Sequence, residues 1–298
     1  MASIPMREDP KLSVVILNHN SGTLLVECLD SLFADDIPFD FEVIVPDNVS
    51  TDASLELARV KWGERIRIID TGANRGFSFG NNIGIRAATG AFVCLLNPDT
   101  IVHRGCFRTL VAFLEAHPRA GCVGPKVYNS DGSYQLSAKR MIPGPWDAVS
   151  RALLLSKAFP KSKLFARYNV TYLDPEATQQ VDASAGCCML LRRATLDEIG
   201  LFDEGYFIYC EDVDWYMRAK TAGWQVWYVA DASIDHHHAY SARFRKRRAV
   251  RDFHDSMIRF YRKHYSKRYP KLLNGLMYVG VRARMILIMC TRSITGWG

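Results

Sequence analysis

Ala91-Phe92-Val93-Cys94-Leu95-Leu96-Asn97-Pro98-Asp99-Thr100 is an apolar run closed by a polar turn, and its reading decides the fold. A parallel strand buried on both faces reads as a short, nearly continuous apolar run. In open α/β sheets ligands bind beyond the carboxyl ends of such strands, which is where Asp99 stands. A carboxylate there can hold a divalent metal against a substrate's phosphates. Oxygen ligands suit Mg²⁺ or Mn²⁺, and a carboxylate or two plus phosphate oxygens is a common Mg²⁺ arrangement. The competing reading is local: Pro98 stops the strand and Asp99 caps a following helix. These four polar-turn residues alone leave both open.

Outward from this run, strand and helix signals alternate, which argues for βαβ units and a parallel sheet. Residues 12–17 read as a strand with the exit loop Asn18-His19-Asn20-Ser21-Gly22. Leu24, Leu25, Cys28, Leu29 and Leu32 then share one helical face. A second strand covers 41–45 and ends at Asp47-Asn48, and Ser50, Thr51 and Asp52 are N-cap candidates for a helix through Leu55 and Ala58. A third strand is expected at 66–69, helices at 81–88 and 105–116. Residues 128–180 hold four prolines and no sustained periodicity, so loops and short helices able to cover a substrate are expected there. Further on, 181–193 is strand-like, 211–222 is helical up to Gly223, and 225–229 is a strand shortly before His236-His237-His238.

With 298 residues, 48% hydrophobic and 23% charged, the chain can bury a full core of ordinary globular composition. Its eight cysteines include no Cys-x-x-Cys pair, and several sit inside apolar runs. They read as small buried hydrophobes of a reducing compartment, not a disulfide framework. Residues 1–10 lack an apolar h-region, so no secretory signal is expected and a cytoplasmic enzyme is the default. The net charge of +7 is concentrated: residues 242–271 carry twelve Lys or Arg against Asp252 and Asp255. After them, 272–290 is apolar but contains Arg282 and Arg284, which makes a poor spanning helix. It suits an amphipathic helix on an anionic membrane surface, or one packed on the core.

Four polar clusters fall at or just after strand ends: 18–20, 47–52, 97–99, and Glu211-Asp212 with His236. Consecutive parallel strands end on one edge, so the first three should converge on one crevice. Asp47 can accept a hydrogen bond from a base imide N–H, with the backbone near Asn18 pairing the same base. Asn74-Arg75-Gly76 can offer an amide and a guanidinium to a diphosphate. Glu211-Asp212-Val213-Asp214 puts three carboxylates at a helix N-terminus, where they are electrostatically favoured in any case. One of them could take a proton from an attacking hydroxyl. Adjacent residues of an extended segment point to opposite sides, so the histidine triplet offers at most one metal ligand.

These residues carry a resemblance. Ser13-Val14-Val15-Ile16-Leu17-Asn18-His19-Asn20, Asp47-Asn48-Val49-Ser50-Thr51-Asp52, Asn74-Arg75-Gly76-Phe77, Asn81-Asn82-Ile83-Gly84, Leu96-Asn97-Pro98-Asp99-Thr100, the stretch 186–193, Phe202-Asp203-Glu204, Glu211-Asp212-Val213-Asp214, Ala222-Gly223-Trp224 and His236 occur in the order found in family 2 glycosyltransferases. The chain resembles that family, and within it the rhamnosyltransferase-like branch of bacterial surface-polysaccharide synthesis. The resemblance implies an α/β GT-A nucleotide-binding sandwich with a mostly parallel central sheet and a helical C-terminal tail. The glycosyltransferase domain would span 1–240, with a nucleotide half at about 11–127 and an acceptor half at 128–240, and the tail would span 241–298. It implies Asp99 as metal-binding aspartate with Asn97 in place of a first aspartate, and His236 as a further metal ligand. Asp47 would bind the base, with Asn18, Asn20, Asn48, Asn74, Arg75, Gly76, Asn81 and Asn97 around the nucleotide-sugar. Asp212 would be the catalytic base, paired with Glu211. Val49 and Pro46 depart from the family pattern in the base pocket.

The implied reaction is inverting transfer from a dTDP- or UDP-linked sugar, L-rhamnose first, with Mg²⁺ or Mn²⁺. The acceptor would be a lipid-linked saccharide, with the tail on the cytoplasmic membrane face as a peripheral contact. A polymerising synthase would show a Gln-x-x-Arg-Trp motif, and an NAD-dependent oxidoreductase a Gly-x-Gly-x-x-Gly turn after the first strand; neither is present. A His₃ zinc hydrolase lacks a His-Glu-x-x-His motif, and a nucleic-acid-binding module would leave Asp99 and Asp212 without a task, so no nucleic-acid partner is expected.

Overall fold

The computed structural model describes residues 9–237 and 246–294. Strands β1 (Leu12–Ile16), β2 (Phe41–Asp47), β3 (Arg67–Asp70) and β4 (Phe92–Leu96) are joined by helices α1 (Leu24–Ala34), α2 (Ser54–Trp62) and α3 (Phe77–Ala87). Each crossover is a strand–helix–strand unit, and the four strands lie side by side and parallel in the order β3-β2-β1-β4. Every residue of β1 and β4 is buried, as the unbroken apolar run at 91–96 requires.

Past Asp99 the local reading fails. No helix follows; Thr100–Val102 forms a short strand, β5, ahead of α4 (Cys106–Ala116) and β6 (Ala120–Asn129). Residues 128–180 are mostly irregular, as expected, with a two-residue strand β7 (Lys139–Arg140) and the helices α5 (Pro145–Ala152) and α6 (Leu155–Ala158). Then come β8 (Gln179–Val181), β9 (Ala183–Ser184), β10 (Cys188–Arg192), α7 (Arg193–Ile199), α8 (Glu211–Thr221) and β11 (Gln225–His236).

Among the described residues the main sheet has nine strands. β10 runs antiparallel between β4 and β6, and β11 runs parallel to β6. The strand expected at 225–229 continues to His236, because its two halves have different partners on the far edge. Val226–Tyr228 pairs with β8, 234–236 pairs with β5, and the register shifts between Val229 and Ser233. This extension carries His236 back to the edge where Asp99 lies.

Two other local expectations change. Ala53, not Ser50, Thr51 or Asp52, occupies the N-cap of α2, although Asp52 Oδ1 accepts the Ser54 N–H at 3.1 Å. Helix α3 starts at Phe77 instead of residue 81. Gly76 immediately before it has φ 105°, and a Cβ there would sit 2.3 Å from the Phe207 carbonyl oxygen, so only glycine fits.

All eight cysteines are free, and six are buried in the core beside residues such as Phe107, Leu110 and Leu190. Each fully buried aliphatic or aromatic side chain contributes about 1.5–3 kcal/mol, so this core holds the strand ends fixed. The basic tail forms α9 (Lys246–His264) and α10 (Lys271–Ile294). Residues 238–245, including His238 and Arg243, lie outside the described residues. Helix α9 packs on the body, with Phe260 and Tyr261 buried and Ser256 Oγ donating to the Ile208 carbonyl at 2.9 Å. Helix α10 packs on α9, where Arg282 meets Asp255 at 2.5 Å. Against the expectation of a poor spanning helix, α10 is by length and composition apolar enough to cross a membrane, since Arg282 and Arg284 are too few to offset its apolar residues, and none of its apolar window is buried inside the protein.

Candidate active site

The parallel strands deliver their exit loops to one edge, and a cavity of about 1400 Å³ opens there. At the exits of β1 and β2, Asn18 and Asp47 form an isolated bridge. The Asn18 amide donates to Asp47 Oδ1 at 2.8 Å, to Ser50 Oγ at 3.0 Å and to Ser54 Oγ at 2.9 Å. Asp47 also accepts the Ser50 N–H at 2.9 Å. Asn20, in the left-handed region at φ 51°, accepts the Thr51 N–H at 2.7 Å through its side chain. Val49 is also left-handed, a strained conformation for a β-branched residue that this network enforces.

The next layer reaches the cavity. His19 Nδ1 lies 2.9 Å from the Asn48 carbonyl and its Nε2 lies 3.1 Å from the Asn74 amide. A carbonyl only accepts and the amide nitrogen only donates, so the network assigns the proton to Nδ1. Asn48, Asn74, Gly76 and His19 line the cavity, while Asn18, Asn20 and Asp47 stand behind them as support. Arg75 and Asn81 do not line it. The Arg75 guanidinium stacks 4.5 Å from the Phe79 ring centre, and Asn81 turns back on its own helix to the Phe77 carbonyl at 3.0 Å.

Asn97 and Asp99 line the cavity from the end of β4. The antiparallel register pairs His236 with Thr100, which sets His236 Nε2 3.4 Å from Asp99 Oδ1. The other ring nitrogen, Nδ1, lies 3.3 Å from Gln135 Oε1. Burial pushes the imidazole down, but the Cys187 sulfur and the Asp99 carboxylate outweigh it and raise His236 to about 10. Gln135 Oε1 fixes the Nδ1 proton, and Nε2, the nitrogen facing Asp99, is the one that would have to give up its proton to ligate a cation. His237 points away, to Ser130 Oγ at 2.8 Å, so the adjacent histidines diverge as extended backbone dictates.

Among the described residues no group of three or more His, Cys, Asp or Glu could hold a metal. One carboxylate beside one buried imidazole, whose far nitrogen is oriented by Gln135, is a partial donor set. It fits a divalent cation completed by phosphate oxygens, and the Gln135 contact supplies the outer partner that a ligating histidine usually has.

Tyr209 (φ 71°) and Cys210 (φ 64°) are two consecutive left-handed residues that turn the chain into α8. This strained turn presents Glu211 and Asp212 to the cavity. Asp212 Oδ2 accepts Arg140 Nη2 at 2.6 Å and Oδ1 accepts the Val213 N–H at 2.8 Å. Gly186 lies against this carboxylate; a Cβ there would come within 3.2 Å of Oδ2. Glu211 is buried, its Oε2 has no hydrogen-bond partner among the described residues, and burial with the neighbouring Asp212 charge pushes its carboxyl up to about 8. Asp214, one turn further, leaves the cavity: it takes His264 at 2.7 Å, Lys263 at 2.8 Å and Arg218 at 3.1 Å. Although burial raises it, His264 and Lys263 hold it down to about 2. It pins α9 to α8.

Arg140, Gln135 and His19 were not among the site residues read from the sequence. The first two lie in the irregular region 128–180, where no period marks a face. His19 belongs to a quoted motif, but nothing local distinguishes it from loop chemistry.

Residues 13–200 match the family described as Glycosyl transferase family 2. The chain is 33% identical over 245 residues to an N-acetylglucosaminyl-diphospho-decaprenol L-rhamnosyltransferase of Mycobacterium tuberculosis, covering 77% of each chain. It is 28% identical over 225 residues to the rhamnosyltransferase WbbL of Escherichia coli, covering 72% of this chain and 79% of that one. Among solved structures, the mannosyltransferase PcManGT from Pyrobaculum calidifontis with GDP-Man and Mn²⁺ superposes at TM-score 0.58 and 19% identity, over 93% and 70% of the chains. S. aureus TarS 1–349 with UDP does so at TM-score 0.56 and 19% identity, over 83% of this chain and 63%, under two thirds, of that one. The shared fold is GT-A, with a mostly parallel curled sheet by paired length and a C-terminal helix. A family match over more than half of the sequence, with rhamnosyltransferases among the relatives, makes this chain a glycosyltransferase and a member of glycosyl transferase family 2.

Proposed function

We propose that this enzyme transfers L-rhamnose from dTDP-L-rhamnose, with inversion, to a saccharide carried on a lipid diphosphate at the cytoplasmic membrane face. The observation that carries the reading is the meeting of Asp99 and Asp212, from distant parts of the sequence, in the lining of one cavity. The nucleotide would lie in the half formed by about 11–127, its base toward Asp47 and Asn18 behind the Asn48–Asn74 layer. The acceptor would enter through 128–240, and the basic segment with α10 would meet the membrane.

Asp99 and His236 would hold a divalent cation, Mg²⁺ or Mn²⁺; when bound, it neutralises charge on the leaving diphosphate. Asp212 takes the proton of the acceptor hydroxyl as its oxygen bonds to the anomeric carbon. The bond from that carbon to the phosphate oxygen breaks, and the nucleoside diphosphate leaves with the electron pair. Arg140 holds the Asp212 carboxylate in place and must yield or share it when the hydroxyl arrives. Glu211, neutral below its raised value, spares Asp212 a second charge at its side.

The donor is tested by competition between dTDP-L-rhamnose and UDP-hexoses in one transfer assay with Mn²⁺. Preferential rhamnosyl transfer is expected. Preferential turnover of a UDP-hexose would replace the donor and leave the glycosyltransferase standing, since thymine and uracil present the same imide N–H.

A further inference from the structure

The cavity does not end at the two carboxylates. It continues between α5, α6 and α10, where its lining includes Val149, Leu154, Met277, Val281 and Ile288. Leu154, Leu276 and Leu287 on these walls are 59%, 59% and 63% exposed, so this end leaves much apolar surface in water.

Three cations share that end: Arg151 of α5, Lys157 of α6 and Arg284 of α10. Among the described residues none of them has a carboxylate within ion-pairing distance. The acids on the surrounding helices are engaged elsewhere, Asp147 with Arg167 at 2.9 Å, Asp252 with Arg248 at 3.8 Å and Asp255 with Arg282 at 2.5 Å. Helix α10 contributes no acid of its own. Arg284 donates instead to His254 Nε2 at 2.8 Å, and Arg151 lies 5.0 Å over the Tyr168 ring. Burial and the Arg151 charge together push Arg284 below its ordinary value, so the two guanidinium groups feel each other across the groove. Positive charge without a counter-ion beside an exposed apolar wall is complementary to an anionic amphiphile.

We propose that this end of the cavity binds the diphosphate and first prenyl units of a lipid-linked acceptor. Arg151, Lys157 and Arg284 take the phosphate oxygens, and the apolar faces of α5, α6 and α10 follow the hydrocarbon chain. The proposal rests on the glycosyltransferase reading above and adds the subsite and its residues. Planar guanidinium groups suit the phosphate oxygens, and continuity with Asp212 lets one molecule span both ends. A bilayer lying on α10 would cover the apolar face but would leave unexplained why the cations line a cavity that reaches the catalytic carboxylates.

The test titrates the full chain, metal withheld, with farnesyl diphosphate, inorganic pyrophosphate and farnesol. Farnesyl diphosphate should bind more tightly than either fragment, and in a parallel titration with Mn²⁺ present saturating dTDP should not displace it. Arg151→Gln and Arg284→Gln, both at exposed positions, should each weaken it about tenfold, the range of a lost charge-assisted contact. Gly280 also lines the groove, and a Cβ there meets nothing within 4 Å. Gly280→Phe should therefore fold, weaken farnesyl diphosphate and leave pyrophosphate binding unchanged. Unaltered affinity in all three variants overturns the proposal, as does displacement by dTDP, which would place the probe in the donor site. Binding to anionic vesicles with none to farnesyl diphosphate also overturns it, in favour of a membrane contact, as would concentration-dependent dimerisation lost in Gly280→Phe. Hydrolysis of the nucleotide-sugar by the same preparation tests the parent reading separately, since water as acceptor needs no prenyl group.

Discussion

The two walls of the cavity are built from different interactions. On the side proposed for the base, Asn18, Asn20, Asn48, Asn74, Ser50 and Ser54 form a lattice of short hydrogen bonds whose carboxylates, Asp47 and Asp52, form no ion pair among the described residues. On the side proposed for the acceptor, charge is set against charge: Asp99 faces His236 and Asp212 faces Arg140, and behind the cavity Asp214 faces His264, Lys263 and Arg218. A lattice of mostly neutral groups holds one geometry with little dependence on salt or pH, and so suits a rigid base pocket. Charge pairs can exchange partners, and two of these three would do so in a catalytic cycle, Asp99 for a cation and Asp212 for a proton. Asp214 has no such exchange, which marks it as structural although it lies two residues from Asp212.

The largest effect should come from the exchanging pair without a spare acid. Asp99→Ala should abolish transfer and metal-dependent nucleotide binding, because Asn97 brings no second charge. A metal titration with near-normal activity would remove Asp99 from the site. Asp212→Asn should keep donor binding and lower turnover by about 10²–10⁴-fold, the range for a lost general base. Unchanged turnover, or loss of donor binding, would move the base elsewhere.

Asp214→Asn separates structure from chemistry on the same helix. It leaves Lys263, His264 and Arg218 crowded without their anion, and breaking a buried pair in this way costs about 3–5 kcal/mol. In the wild type, the native carboxyl is held to about 2 against an ordinary 3.8, so its stabilisation is present above about pH 4 and lost as pH falls toward 2. The variant should lack that acid-side loss in a thermal unfolding series; a parallel series would deny Asp214 its anchoring role. On the base side, Asn18→Ala removes a buried amide that serves three acceptors and should cost about 1–3 kcal/mol, with little change between low and high salt. A strongly salt-dependent loss would break the contrast between the walls.

The base side was the more legible in sequence. Its clusters follow strands whose apolar runs are unbroken, so β1, β2 and β4 and the shared edge could be read from 12–17, 41–47 and 91–99. Pairing that depends on distant partners could not. β11 reads as a short strand because its pattern changes where β8 gives way to β5, and only the register with Thr100 brings His236 to Asp99. Arg140 comes from an irregular stretch, and nothing in its neighbours signals that it will meet Asp212 from 72 residues away. Asp214 fits the dipole-favoured helix start as well as Asp212 does; the tail that claims it follows only after β11.

The smallest effect on turnover is expected at Glu211, and it tests which member of the acidic pair acts. Burial and the Asp212 charge raise its carboxyl to about 8, so near pH 7 the residue is already mostly neutral. Glu211→Gln replaces neutral by neutral and should lower turnover by less than about tenfold, under ~1.4 kcal/mol of barrier. The wild-type carboxyl is protonated in the native state but ionised in the unfolded chain between about pH 4.5 and 8. Over that window the unfolded state binds fewer protons, so this group makes stability fall as pH rises, and the fall ends once the native carboxyl ionises as well. Glutamine cannot titrate, so the variant's melting temperature should decline less steeply across the window. A loss of turnover matching Asp212→Asn, with the wild-type slope retained, would make Glu211 the ionised base and Asp212 the residue that Arg140 holds for structure.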